Sequence, residues 1–341
     1  MGGKPGEVYK KDKLILERKI SMDRNCKLTI LIPTYNRKEK LLRTLESLIN
    51  QSNQNFNIFI SDNFSDYSIE ELISNEIPSL ENKVEIFHHP FNIGGTPNII
   101  GALSLCNTEW GWILGDDDVV YNDSIENIYN SITRYPDTQV FWFSIDEKRK
   151  DNCVIDNMYQ LQDYLEALNN SGDFIFCSNK VFNIKKIGSY MEITHRFSYT
   201  RISQCFPIIE SLKDHKSITI INDKDIVKHG GFENGTISWD VSKTVSGLRT
   251  LMDYPTGLSW KKHCKFVKSV MFKPSFVLKS YLKSPLPWNY RNYLKNVYTS
   301  CYRYCYPIHK RIIIKNAFWI ASIPFVHKLM NSYYHKKQKK G

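Results

Sequence analysis

Residues 110–118 read Trp-Gly-Trp-Ile-Leu-Gly-Asp-Asp-Asp, an apolar run that stops on three adjacent carboxylates. The run predicts a buried strand that delivers Asp116, Asp117 and Asp118 to one edge of a sheet. Two carboxylates ~4 Å apart repel by about 1 kcal/mol in water and roughly 4 kcal/mol at an effective dielectric of 20, so three in a row at a buried strand end call for a cation. Ligands that are all oxygen favour Mg²⁺ or Mn²⁺. Such an ion keeps positions open for phosphate oxygens, which points to a nucleoside diphosphate site. The plain alternative is an acidic turn in water.

Working outward, Lys27 to Ile32 is a β-rich apolar run that ends at Pro33-Thr34-Tyr35-Asn36-Arg37. Leu41, Leu42, Leu45, Leu48 and Ile49 then recur at helical spacing. Phe56 to Ser61 alternates as a second strand, Asp62 to Asp66 makes a polar loop, and Ile69 to Ile77 can be helical. Lys83 to Phe87 predicts a third strand. Asn92-Ile93-Gly94-Gly95-Thr96-Pro97-Asn98 follows it, with Pro97 suited to the first turn of another helix. Strands alternating with helices imply an α/β fold with a mostly parallel sheet, whose ligands bind outside the carboxyl ends of the strands. All four loops belong to that edge.

Four segments in this order, Ile32 to Arg37, Ile60 to Asn63, Asn92 to Gly94 and Gly115 to Asp118, resemble the nucleotide-sugar-binding half of glycosyltransferase family 2. The likeness is to bacterial enzymes of O-antigen and other surface polysaccharide assembly, including the abequosyltransferase-like branch, and is good over residues 26 to about 135. It implies the GT-A fold, a Rossmann-like sheet flanked by helices, and transfer of a sugar from a nucleotide-diphosphate donor to a glycan hydroxyl. It also implies roles. Pro33, Tyr35 and Arg37 would shape the nucleotide pocket, and Asp62 would accept from the ring N–H of uracil or thymine, because an ionised carboxylate only accepts. The loop holding Asn92 and Gly94 would pack beneath the nucleotide. Asp116 and Asp117 would face the ribose, sugar and diphosphate, and Asp118, with Asp116, would hold Mn²⁺ or Mg²⁺. For Asp62 and Asn92 taken singly, ordinary turn chemistry is an equal alternative.

An inverting transfer needs a base for the acceptor's proton. The family places a Glu-Asp pair there, and no such dipeptide follows Asp118. The matching region, Gly188 to Leu212, offers Glu192, His195 and Glu210, with Asp214 just beyond, and His195 is the first candidate for its near-neutral imidazole. The missing pair also leaves a retaining mechanism open. His229 to Asp240, rich in glycine and ending near Trp239, reads either as an acceptor-side loop or as a hairpin.

The charge is uneven. The chain of 341 residues carries a net +11, yet residues 254–341 hold 18 Lys or Arg and no Asp or Glu. The organisation expected is therefore an extension at 1–25, a GT-A domain at 26–253 whose donor half is 26–135 and acceptor half 136–253, and a basic aromatic tail at 254–341. In the tail, Trp260, Cys264, Phe266, Val267, Val270 and Met271 fall on one helical arc and Lys261, Lys262, Lys265 and Lys268 on another, a pattern suited to a membrane interface. A run of Trp and Tyr follows, and Ile312 to Val326 is shorter than the ~20 residues of a spanning helix. The expectation is a peripheral enzyme on the anionic cytoplasmic face of the inner membrane, with a polyprenyl-diphosphate-linked glycan as acceptor. The alternative is a tail that is solvated or packed on the domain. No apolar stretch of secretory length stands near the start, and the eight cysteines show no zinc spacing and read as reduced thiols. A sugar nucleotidyltransferase would want a glycine-rich loop where Pro33 to Arg37 stands. A nucleic-acid-binding protein would leave the aspartates unexplained, so no nucleic acid is expected.

Overall fold

The computed structural model describes residues 25–144, 151–168, 172–228, 247, 249–271, 273–283 and 298–338. The parallel half of its sheet is built from β1 (Leu28–Thr34), β2 (Asn57–Asp62), β3 (Val84–His88) and β4 (Trp110–Ile113), in the order β3-β2-β1-β4. These strands alternate yet bury both faces. Leu28, Ile30, Ile32, Ile58, Ile60, Trp110 and Trp112 share one apolar core, whereas Leu31, Phe59 and Ile113 share the other. Such two-sided burial is what a parallel sheet between helical layers requires.

Helices α1 (Lys38–Ile49), α2 (Ile69–Glu76), α3 (Gly95–Leu105) and α4 (Ser124–Arg134) connect and follow these strands. Leu41, Leu45 and Leu48 of α1 and Ile125 and Ile128 of α4 cover the first face, and Ala102 and Leu103 of α3 cover the second. Each fully buried side chain of this kind contributes about 1.5–3 kcal/mol.

Past the short β5 (Val119–Val120), the sheet grows by β6 (Val140–Phe143), β7 (Cys153–Ile155), β8 (Lys180–Asn183) and β9 (Ile218–Ile221) to the order β3-β2-β1-β4-β8-β6-β9-β7. β8 enters antiparallel between β4 and β6, and β9 is parallel to β6, so β9 ends at the same edge as β4. β5 pairs with β10 (Val227–Lys228) in a separate ribbon. The second face is completed by α5 (Met158–Ala167), α6 (Gly172–Ile175), α7 (Met191–Arg196), α8 (Phe206–Lys213) and α9 (Trp260–Val270). Beyond them lie α10 (Pro274–Lys283), α11 (Ile308–Ala321) and α12 (Pro324–Gln338).

Helix α9 corrects one expectation. Its apolar arc, suited by composition to a membrane interface, is turned inward: Phe266, Val267 and Val270 are buried in the core and the Phe266 ring meets Phe174 edge-on at 6.1 Å. Its lysines answer acids of α5, Lys262 to Asp163 at 2.6 Å and Lys265 to Glu166 at 2.8 Å. Exposed pairs of this kind add at most about 1 kcal/mol each, so burial holds the helix and charge sets its register. Residues 1–24 and His229 to Asp240 lie outside the described residues.

Phe266→Ala is expected to cost about 3–5 kcal/mol in urea unfolding, against less than about 1 kcal/mol for Trp260→Ala on the exposed side of the same helix. Equal, small losses would show that α9 is not part of the core.

Candidate active site

Parallel strands put their carboxyl ends on one line. In register, Thr34 of β1 stands beside Asp62 of β2, and Asp62 beside His88 of β3. Gly115 to Asp118 leave β4 at the same edge. The three aspartates do not behave alike. Asp116 is buried, with one oxygen accepting from Thr34 Oγ1 at 2.8 Å and the other from the Arg37 guanidinium at 2.9 Å. Asp117 meets the same guanidinium nitrogen at 3.1 Å and Lys40 Nζ at 3.5 Å. Arg43 donates to the Asp117 carbonyl and Thr44 to that of Asp118. Arg37, Lys40, Arg43 and Thr44 thus lie on the first two turns of α1 or just before them, on the side that faces the triplet.

Asp118 has no ion-pair partner among the described residues. It is buried, its Oδ2 accepts from Ser178 Oγ at 2.6 Å, and its Oδ1 accepts no hydrogen bond among the described residues. Burial first, then Asp117 and Asp116, push its pKa up to about 7, against the opposing pull of Ser178 and Arg43. Burial also raises Asp116, although Arg37 and Thr34 oppose it. Arg37 is itself raised, because Asp116 and Asp117 outweigh its desolvation. A Cβ at Gly115 would stand 2.7 Å from Asp118 Oδ2, so a side chain there would displace the carboxylate.

Ser178 reaches the triplet because a buried network holds its segment. Asp173 accepts from Trp142 Nε1 at 3.1 Å, Ser144 Oγ at 2.8 Å and Asn179 Nδ2 at 2.6 Å. Lys180, fully buried, donates to the carbonyls of Asp173 and Phe176 and to Asn179 Oδ1. Burial lowers its pKa, and these acceptors stabilise the ammonium.

The other loops are cross-tied. Asp62 accepts from Ser65 N at 3.0 Å and from His88 Nδ1 at 2.9 Å, while His88 Nε2 reaches Glu70 at 2.7 Å. Burial lowers the His88 pKa, but Glu70 and Asp62 together outweigh it and the net shift is upward. Asn92 Oδ1 accepts from Asn63 Nδ2 and from Gly94 N, and Ile93 N donates back to Asn63. Gly94 sits at φ 94°, a left-handed conformation that favours glycine. Pro33 is half-buried at the end of β1. Tyr35 is 42% exposed, and Phe64 is 57% exposed at φ 73°, a costly conformation for a bulky residue.

The fold therefore gathers Pro33, Tyr35, Arg37, Asp62, Asn92, Gly94 and Asp116 to Asp118 at one edge. Two expectations are corrected. Asp116 has both oxygens taken by Thr34 and Arg37, and Asp117 is paired with Arg37 and Lys40 through Oδ2, so among the triplet only Asp118 is a buried carboxylate with an open oxygen and no paired cation among the described residues. His195 and Glu192 are at the wrong edge. His195 Nε2 lies 2.7 Å from Ser104 Oγ on the last turn of α3, a helix that starts at the Gly94 loop and runs back across the sheet. Glu192 pairs with Arg196 on the exposed side of α7. Thr34, Lys40, Arg43, Thr44, His88 and Ser178 were not legible as site residues; only the three-residue recurrence of Arg37, Lys40 and Arg43 carried a signal.

The donor set fits a divalent cation whose other ligands come from elsewhere. Among the described residues no three His, Cys, Asp or Glu side chains converge as a complete metal site. One free oxygen on a buried carboxylate that resists ionisation is what a diphosphate-bridged ion would complete.

Residues 29–188 match the model of Glycosyl transferase family 2. The chain carries a family 2 glycosyltransferase domain. This domain spans β1 through β8 and contains every residue of the edge just described. Abequosyltransferase RfbV of Salmonella typhimurium is 28% identical over 172 residues, 48% of this chain and 50% of the relative. The chain thus aligns with about half the length of that relative. Staphylococcus aureus TarS 1–349 in complex with UDP-GlcNAc is similar in structure at a TM-score of 0.58 and 14% identity, covering 92% of each chain. The mannosyltransferase PcManGT of Pyrobaculum calidifontis, in complex with GDP-Man and Mn²⁺, gives 0.50 at 11% identity over 95% of this chain and 93% of its own. At such identities the likeness is one of fold, and its reach past residue 188 extends it to the second half of the sheet.

Two outcomes test this geometry. Folding raises the Asp118 pKa, so the folded metal-free state holds more protons than the unfolded one between roughly pH 4 and 7, and the group's cost to stability grows as pH rises through that window. Asp118→Asn should therefore stabilise the metal-free protein by on the order of 2 kcal/mol at pH 8 and by nothing below pH 4, as read by thermal melts across pH. A pH-independent difference would remove the assigned shift. His195→Ala should leave turnover within about twofold; a loss above ~100-fold would restore it as the base.

Proposed function

We propose that the chain is a glycosyltransferase that moves a sugar from a nucleoside diphosphate donor to a hydroxyl of a glycan in bacterial surface polysaccharide synthesis. The observation that carries this reading is the asymmetry of the triplet: two aspartates paired with cations at the start of α1 and one buried aspartate with an open oxygen and no paired cation among the described residues, at the edge where Asp62 and the Asn63–Asn92 tie also converge.

In the reaction, the acceptor oxygen bonds to the anomeric carbon as the bond from that carbon to the diphosphate breaks, and the acceptor's proton leaves to a base. Asp62 would accept from the nucleobase N–H, since two carboxylate oxygens have lone pairs beyond those given to Ser65 and His88. Tyr35 and Phe64, both exposed on this rim, offer ring faces for a base. Arg37 would help neutralise the diphosphate as well as the aspartates. Asp118 would hold Mn²⁺ or Mg²⁺, which when bound would stabilise the leaving diphosphate. The pairing of GDP-Man with Mn²⁺ in the Pyrobaculum enzyme supports this reading. A lipid-linked acceptor, on a polyprenyl diphosphate at the cytoplasmic face of the inner membrane, suits a chain whose last 88 residues carry no acid.

The test is a screen of nucleotide-sugars for hydrolysis and transfer, with and without Mn²⁺, on the wild type and on Asp118→Ala. Metal-stimulated turnover with one donor, lowered by ~10²-fold or more in the variant while the melting temperature holds, is expected. Full turnover in Asp118→Ala would overturn the assignment.

A further inference from the structure

Helices α11 and α12 leave large apolar side chains in solvent. Ile308, Ile312, Trp319 and Ile320 of α11 and Phe325 and Leu329 of α12 are 48–74% exposed. At about 100° per residue, Ile308, Ile312 and Trp319 fall within roughly 40° of one another, on a different arc from Ile314 and Phe318, which reach the core. Apolar surface gathered this way marks an interaction face.

Beside it lies a cationic cleft. Between α9, the end of α5 and the start of α11 a cavity of about 630 Å³ is lined by Trp260, Lys261, Lys265, Lys268, Lys273 and Arg311 among others. Of these five cations only Lys265 has a carboxylate partner among the described residues, Glu166. Lys268 lies over the Tyr306 ring at 5.3 Å, and Trp260 meets Tyr304 edge-on at 5.7 Å. Pro307 and Arg311 line the cleft while Ile308 and Ile312, beside them in sequence, are exposed, so cationic and apolar surfaces are continuous.

We propose that this combined surface docks on an anionic phospholipid bilayer, the cleft taking a phosphate headgroup and the outer arc of α11 lying among the acyl chains. Charge complementarity selects this occupant. No acidic residue follows Asp253, so nothing in the C-terminal sequence repels an anionic headgroup, and each Lys or Arg near such a surface strengthens the attraction. A nucleic acid would meet the cations but leave Ile, Trp and Phe in water. No single described helix is long and apolar enough to cross; Ile308–Ala321 and Phe325–Tyr333 are so only as a pair, bent by 85°, and a bent pair with its apolar arc outward is suited to lying in the interface. Tyr164 of α5 donates to Asn222 just past β9 at 2.8 Å, which sets the end of α5, and hence the cleft, at the sheet edge that carries the aspartates. A donor site facing the membrane is what a lipid-linked acceptor requires, and that clause alone rests on the proposed function.

The experiment is flotation of the full chain with phosphatidylcholine vesicles, with and without about 30 mol% phosphatidylglycerol. The wild type is expected to float only with the anionic vesicles. Lys268→Glu with Lys273→Glu should lower partition by roughly tenfold or more, and Ile312→Asp with Trp319→Asp should abolish the binding that survives about 0.5 M salt. Both pairs are exposed, so melting temperature and nucleotide binding should match the wild type; failure of donor turnover in all proteins would count against the proposed function and not against this surface. Wild type that does not float, variants that float like it, or a dimer dissociated by the Ile312 and Trp319 changes with flotation intact would overturn the proposal.

Discussion

Three carboxylates in sequence at a buried strand end can coexist only if something removes most of their mutual repulsion, and here that something is α1. Arg37 touches both Asp116 and Asp117, Lys40 adds a second cation to Asp117, and Arg43 and Thr44 hold the backbone carbonyls behind them. The first strand-loop-helix unit is therefore also the counter-charge for the fourth strand. Because those cations form ion pairs with only two of the three aspartates and act on the third from a distance, Asp118 is left buried, bonded to Ser178 and reluctant to ionise. A cation binds most favourably where the protein has supplied a negative group and withheld its partner.

This division depends on residues far apart in the chain. Ser178 reaches Asp118 across 60 positions, and it can do so because Lys180 and Asp173 bind their own segment into a dry network behind it. Satisfied buried polar groups of this kind are rigid, since losing one partner strands the others without solvent. Placement of the open oxygen is thus a property of both halves of the sheet, the parallel half that carries the triplet and the mixed half that carries its clamp.

The basic C-terminal region divides into two parts by the same rule, that a face is spent where it finds a complement. Apolar side chains of α9 find α5 and the core, and two of its lysines find acids of α5. The outer arc of α11 finds no complement among the described residues. Composition alone made the two helices look alike; their neighbours made one structural and left the other at the surface.

Much of the fold and the donor edge was legible because it follows from local periodicity. Alternating strands between helical runs dictate a parallel sheet, parallel strands send their loops to one edge, and Pro33 to Arg37, Asp62, Asn92 to Gly94 and Asp116 to Asp118 are all such loops. What periodicity cannot carry is which side chains meet. Asp116 and Asp118 are chemically identical in sequence, and only the approach of Arg37 to one and of Ser178 to the other separates a neutralised group from an open one. His195 has the chemistry of a base, but α3 crosses the sheet and leaves it beside Ser104 at the far edge. The amino-acid sequence by itself determined the layers, the edge and the charges brought there, because those depend on spacing along one chain; tertiary structure decided which charges are paired, which are buried and which face solvent, because those depend on distances between segments that spacing does not encode.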